Sequence, residues 1–138
     1  MTDAAVAAVH ELIATDASFT AAGMELICVT DGAVTLALTI RAEMTNGGGL
    51  AHGGWIFLLA DTAFAFAATT RMRGALTTDA DIRFHRPARE GDRIVAEAVA
   101  VETTATSLLV DVIVTGAGGE RIASFRAAGR APRTPSAQ

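Results

Sequence analysis

A single carboxylate, Asp61, stands inside the most apolar run of the 138-residue chain, Trp55 to Ala68, where only Thr62 beside it also breaks the pattern. Burying an unpaired carboxylate costs on the order of several kcal/mol or raises its pKa. Asp61 therefore has either a partner, such as an arginine or an element it caps, or a chemical task. The glycine-rich stretch Asn46-Gly47-Gly48-Gly49-Leu50-Ala51-His52-Gly53-Gly54 leads into the same run. Gly53 and Gly54 fall where a helix over that run must start. Free backbone N–H groups and the positive end of the helix dipole stabilise an oxyanion there, and glycine lets a ligand approach. Asp61 lies eight residues further on. At about 1.5 Å per residue that is ~12 Å, too far to act on a carbonyl held at Gly53 of the same chain. If both groups serve one reaction, Asp61 comes from a second copy whose helix runs roughly antiparallel, and the catalytic unit is a homodimer.

The elements that must position these groups follow from periodicity. The central run is apolar on every side of a 3.6-residue period, which predicts a helix buried all round, closed by positive charge and glycine over Arg71 to Gly74. Ala4 to Ala14 has helical spacing and ends at Thr15-Asp16, predicting a short helix packed on the outside. Met24 to Thr30 and Val34 to Ile40 read as strands joined at Asp31-Gly32 by a tight hairpin. Ala80, Ile82 and Phe84 alternate with charged residues, predicting a strand with one buried face that ends at Arg86-Pro87. Arg93 to Val101, Ser107 to Thr115 and Arg121 to Ala127 complete about six strands in the order α-β-β-α-β-β-β-β. One long apolar helix among antiparallel strands is best covered by a sheet curled around it, an α+β arrangement. A single domain over residues 1–130 is expected, with Ala131 to Gln138, which contains Pro132 and Pro135, as a flexible tail.

Composition excludes several classes. A net charge of −4 with 5% aromatic residues argues against nucleic acid as a partner, since phosphate binding needs a basic surface. The single cysteine, Cys28, rules out an internal disulfide and fits a reducing, cytoplasmic setting. No Cys/His spacing suits structural zinc, and no metal, flavin or nicotinamide signature is present. The first residues lack the basic and unbroken apolar segments of a signal peptide. The central run is shorter than the ~20 apolar residues a bilayer needs and carries Asp61 near its middle, so no membrane span is expected.

The run Asn46-Gly47 … His52-Gly53-Gly54 … Leu59-Ala60-Asp61-Thr62-Ala63-Phe64-Ala65 resembles the signature of the hotdog-fold thioesterases, specifically the phenylacetic acid degradation (PaaI) family. The segment Ile82-Arg83-Phe84-His85-Arg86-Pro87 … Gly91-Asp92 is similar to the same family's third strand and hairpin, and the likeness in element order extends over residues 5–130. The resemblance implies hydrolysis of acyl-CoA thioesters, with phenylacetyl or ring-hydroxylated phenylacetyl groups favoured and no cofactor beyond the CoA of the substrate. It implies Asp61 as nucleophile or general base, the Gly53 N–H on the thioester oxygen, Asn46 orienting thioester or water, and His52 shaping the loop. Gly54 would also meet the substrate. Read as residues alone, Asn46 and His52 serve equally well by hydrogen-bonding the glycine loop. Thr69-Thr70 and Thr78 depart from the pattern, which has Asn-Ser and serine there. Thr78 keeps a minor substrate role beside its simpler one of satisfying backbone. Phe64, Phe66 and Trp55 read as core.

Coenzyme A brings phosphates, and Arg83, His85, Arg86, Arg89 and Arg93 form the chain's basic cluster; Arg86 and Arg89 are the expected phosphate contacts, against the alternative of a solvated hairpin. Family members usually form dimers of dimers, and the sequence does not choose between the outer sheet face and the helix face for the second contact. Three rival activities stay open. A hotdog hydratase would need a histidine paired with an acid; a thioesterase could prefer hydroxybenzoyl, dihydroxynaphthoyl or medium-chain acyl groups; a non-catalytic acyl-CoA binding module would have no use for Asp61.

Overall fold

A computed structural model describes residues 3–133, so the expected tail from residue 134 onwards lies outside the described residues. The elements are α1 (Asp3–Thr15), α2 (Ala17–Ala22), β1 (Glu25–Thr30), β2 (Ala33–Thr39), a 3₁₀ turn (Ala42–Met44), α3 (Gly53–Arg71), β3 (Leu76–Phe84), β4 (Arg93–Thr103), β5 (Ser107–Thr115) and β6 (Arg121–Arg130). The strands form one antiparallel sheet in the order β1-β2-β4-β5-β6-β3. Its two edges are β1 and β3. After β6, Ala131 stays tied to the sheet through its N–H on the Thr106 carbonyl at 2.8 Å.

Cross-strand rows carry the core. Leu36, Ala96, Val114, Ala123 and Phe84 form one inward-facing row, and Val34, Ala98, Val112, Phe125 and Ile82 form the next. Alternate residues point to one face of a strand, so the inner rows pack on α3 while Glu97, Asp111 and Arg126 face outward. Small side chains let sheet and helix pack closely: Ala60, Ala63, Ala67 and Ala68 of α3 are buried in one core with Ala96, Ala98 and Ala123 of the sheet. Gly129 of β6 sits at a close approach of this kind. A Cβ there would lie 3.2 Å from Leu108 Cδ2, 3.3 Å from the Leu76 carbonyl oxygen and 3.4 Å from Phe64 Cζ. Because one neighbour is backbone and cannot swing aside, Gly129→Ala is expected to cost about 1–3 kcal/mol in urea unfolding.

The helix ends are pinned. At the C-terminus of α3, Thr70 Oγ1 accepts the Gly32 N–H at 2.8 Å, and Arg71 reaches Asp31 and Thr103, fastening the β1–β2 turn to the helix. Gly32, at φ 76°, supplies the left-handed conformation that turn requires. α1 buries Ala8 and Val9 and packs on α3 and β1.

Three features differ from the sequence-based expectation. The short helix α2 is an addition, because in the sequence Asp16 reads as a terminator. In the structure Asp16 Oδ1 accepts the Phe19 N–H at 3.0 Å, so the residue that closes α1 opens α2. The central helix is not buried all round. Gly54, Leu58, Asp61, Ala65 and Thr69, spaced by three or four residues, form a stripe that is half-buried or exposed. Strand β3 points Ala80, Ile82 and Phe84 inward as expected, yet Ile82 is half-buried and Phe84 is 53% exposed. Both departures in exposure have one cause: the sheet stops at β3, and nothing among the described residues covers that edge or the stripe beside it.

α3 is the one helix among the described residues long and apolar enough to cross a membrane, and more than half of it is buried inside the fold. It is the core helix of this domain.

Candidate active site

The approach to α3 is built by hydrogen bonds within the glycine-rich loop. Asn46 Oδ1 accepts the N–H groups of Gly48 at 2.9 Å and Leu50 at 3.2 Å, while the Asn46 N–H reaches the Leu50 carbonyl at 2.7 Å. Gly49 takes φ 78°, where a side chain would be strained. The loop is fastened outward by Ala51 N–H to the Ala88 carbonyl and His52 N–H to the Met44 carbonyl, each at 2.8 Å. The Asn46 oxygen is thus committed to the fold and its NH₂ remains for a ligand. Asn46→Ala should cost about 1–2 kcal/mol in urea unfolding. Asn46→Asp keeps the accepting oxygen and should hold that stability while both variants lose turnover, separating the loop's needs from the reaction's.

His52 is the N-cap of α3, extended at φ −62°, ψ 133°, and its Nδ1 accepts the Gly54 N–H at 2.9 Å. That leaves the ring proton on Nε2. Gly54 is therefore spent on the cap, and its lack of a side chain admits the ring: a Cβ would sit 3.0 Å from Nδ1. The Gly53 N–H, at the first helical position, has no partner among the described residues. It points out of the helix start as its remaining polar donor. A Cβ on Gly53 would meet Phe84 Cζ at 3.0 Å, so the ring of β3 lies against the donor. A groove of about 350 Å³ opens here, lined by Asn46, Gly53, Ile56, Phe84, Arg86 and Pro87 among others. This is the size of a small-molecule site.

Asp61 does not line that groove. It sits two turns along α3, half-buried, and makes no ion pair or hydrogen bond among the described residues. Burial raises its pKa above the ordinary carboxylate value. The bland explanation of Asp61 requires a partner that the described residues do not provide.

The remaining expected contacts separate. Thr78 donates its hydroxyl to the Ala128 carbonyl at 3.2 Å beside a bulge in β3, its simpler role. Arg86 lines the groove. Arg89 lies next to it through a backbone bridge to Leu50, with its N–H on Asp92. His85 also lines the groove, with its Nε2 2.8 Å from Ser124 Oγ, while the other two basic residues disperse: Arg93 pairs with Glu25 at 3.0 Å, and Arg83 faces a hollow beside Asp111 and Arg126 on the outer sheet. Phe84 is a site residue that the sequence does not mark. Alternation assigns it to the core, and no spacing in the sequence links it to Gly53.

The enclosed helix makes this a hotdog fold of the thioesterase class. The Thioesterase superfamily model matches residues 48–123. Over 117 residues the chain is 32% identical to the acyl-coenzyme A thioesterase PaaI of Escherichia coli (strain K12), covering 85% of this chain and 84% of that protein. The structure of the E. coli PaaI protein from the phenylacetic acid degradation operon superposes with a TM-score of 0.92 at 29% identity, covering 94% of each chain. A mutant form of PaaI from Thermus thermophilus gives a TM-score of 0.82 at 30% identity, covering 85% of this chain and 100% of that one. The chain therefore belongs to the thioesterase superfamily, as a PaaI-like acyl-CoA thioesterase.

Proposed function

We propose that the enzyme hydrolyses phenylacetyl-CoA and its ring-hydroxylated forms to the free acid and CoA, within phenylacetate catabolism in the cytoplasm. It acts at a site shared by two copies. The observation that carries the shared site is Asp61: a partly desolvated carboxylate without a partner among the described residues, on the uncovered stripe of α3, beside the uncovered edge β3. A second copy meeting the first edge to edge at β3 would cover both and bring each Asp61 to the other chain's Gly53. The operon of the E. coli relative, that of phenylacetic acid degradation, supports the acyl group. The exposed free thiol of Cys28 fits a reducing compartment.

In the proposed reaction the thioester oxygen takes the Gly53 N–H of one copy, and the Asn46 NH₂ orients the carbonyl or water. The Asp61 carboxylate of the other copy removes a proton from water as the water oxygen adds to the carbonyl carbon. Collapse breaks the C–S bond, and the departing CoA thiolate takes up a proton. Alternatively Asp61 adds directly, expels the thiolate and leaves an anhydride that water opens. Arg86, with Arg89 beside it, would meet the CoA phosphates at the groove mouth. A hydratase is disfavoured because neither His52, which holds the Gly54 N–H, nor His85, which meets Ser124, is paired with an acid among the described residues.

The test is thiol release from aryl-acetyl, benzoyl and aliphatic acyl-CoAs, with sedimentation to give the assembly. Fastest turnover of phenylacetyl-type thioesters by a dimer, or by a dimer of dimers, is the expected result. A monomer that turns over at full rate would remove the shared site, and a preference for aliphatic chains would remove the acyl assignment.

A further inference from the structure

A second hollow, of about 590 Å³, lies on the far side of Asp61 from the helix start, between α1, the C-terminal half of α3 and the beginning of β3. Most of its walls are small or apolar: Ala8 and Leu12 from α1, Ala65 and Thr69 from α3, Ala75 and Leu76 leading into β3. Thr15 and the ion pair of Glu11 with Arg73 also line it. The hollow is continuous with the open stripe of α3. Ala65 is one helical turn beyond Asp61, ~6 Å, and Thr69 is two turns beyond, ~12 Å.

We propose that this hollow receives the acyl group of the thioester, with Ala65 as its gate and Leu12 and Leu76 as the walls that set its size. The inference rests on the reading in which Asp61 meets a carbonyl held at the other copy's Gly53. With the acyl carbon beside Asp61, the substituent leaves along α3 in one of two directions. Toward the helix start it meets the large side chain of Leu58, already half-buried. Toward the C-terminus its own helix offers the methyl group of Ala65, exposed, and then a hollow walled mostly by small and apolar residues. A hydrophobic acyl group gains by leaving water, so the second direction is favoured. An enclosed cavity of ~150 Å³ is enough for one benzene ring. The hollow is larger, and it therefore accommodates acyl groups beyond a single ring, such as two-ring aryl or medium-chain apolar acyl groups.

The test compares kcat/KM for acetyl-CoA, phenylacetyl-CoA and a naphthylacetyl- or octanoyl-CoA in Ala65→Phe, Thr69→Phe and Leu12→Ala. Filling the hollow at Ala65 or Thr69 should lower kcat/KM for the bulky substrates about 10–200-fold, the range for a steric change in an apolar pocket. Acetyl-CoA turnover should be retained. Leu12→Ala should shift preference toward the larger acyl groups. Thr69 lies a turn further from Asp61, so if Ala65→Phe prevents assembly, Thr69→Phe carries the decision. Equal effects on acetyl and bulky acyl groups in assembled Thr69→Phe would overturn the acyl assignment of the hollow while the thioesterase site stands. Full-rate turnover of these substrates by a monomer would overturn the shared site and this inference together.

Discussion

Asp61→Asn is expected to lower kcat by about 10²–10⁴-fold, the contribution of a positioned proton acceptor, in a protein that still folds and assembles. Asparagine matches the carboxylate in shape and cannot take the proton or attack the carbonyl. Desolvation holds the Asp61 carboxyl above its ordinary pKa, so wild-type activity should rise with pH along a limb displaced upward from the usual carboxylate range. The residual activity of the variant should lack that limb. Stability should move the opposite way. A carboxyl whose pKa is raised by folding lends its stability fully below its unfolded pKa and withdraws it as pH rises through the folded value. Asp61→Asn should therefore melt above the wild type at neutral pH, with the two curves converging in acid. A variant that keeps its turnover, or that melts lower at pH 7, would make Asp61 structural. The two readouts together separate a residue kept for chemistry from one kept for the fold.

The fold could be read from the sequence wherever burial and periodicity agree. Val34, Leu36 and Leu38 alternate and are buried, and Phe64 and Phe66 sit in the core. Reading failed where the chain is incomplete by itself. Leu58 and Ala65 have the same apolar character as Leu59 and Ala63, yet the first pair lies on the open stripe and the second is enclosed. Hydrophobicity reports that a surface is to be covered and does not say by which chain. The same ambiguity gave β3 its inward direction but not its exposure. Two members of the basic cluster left it for a different reason. Arg83 and Phe84 are neighbours in sequence and lie on opposite faces of one strand, and Arg93 is drawn to Glu25 across the sheet. Asn46, Gly53 and Arg86 meet because loop, helix start and strand end converge at one rim. Only the loop-to-helix part of that convergence is local enough to appear as spacing. Phe84 enters from a distant strand and left no such trace.

Gly53→Pro and Gly53→Ala should behave very differently, and the difference isolates one hydrogen-bond donor. Proline removes the N–H at position 53. Proline is accepted at the first position of a helix, where that group has no intrahelical partner, and its fixed φ suits the site. The preceding residue must be extended, and His52 already is, at ψ 133°. Both substitutions introduce a Cβ at 3.0 Å from Phe84 Cζ. Any displacement of the Phe84 ring is therefore common to the two variants. Alanine then carries the steric change with the donor intact, and proline carries both changes. Losing an oxyanion donor costs about 10²–10³ in kcat, so proline should fall that far below alanine. Equal rates for the two would remove Gly53 as the donor. Mixed assemblies then report which copy supplies each group. Dimers assembled at random from Asp61→Asn and Gly53→Pro chains contain one intact site in half of the pairs, restoring about a quarter of the wild-type sites if each site draws Gly53 and Asp61 from different copies. If both groups came from one copy, every site would be defective and the mixture would be no more active than its parts.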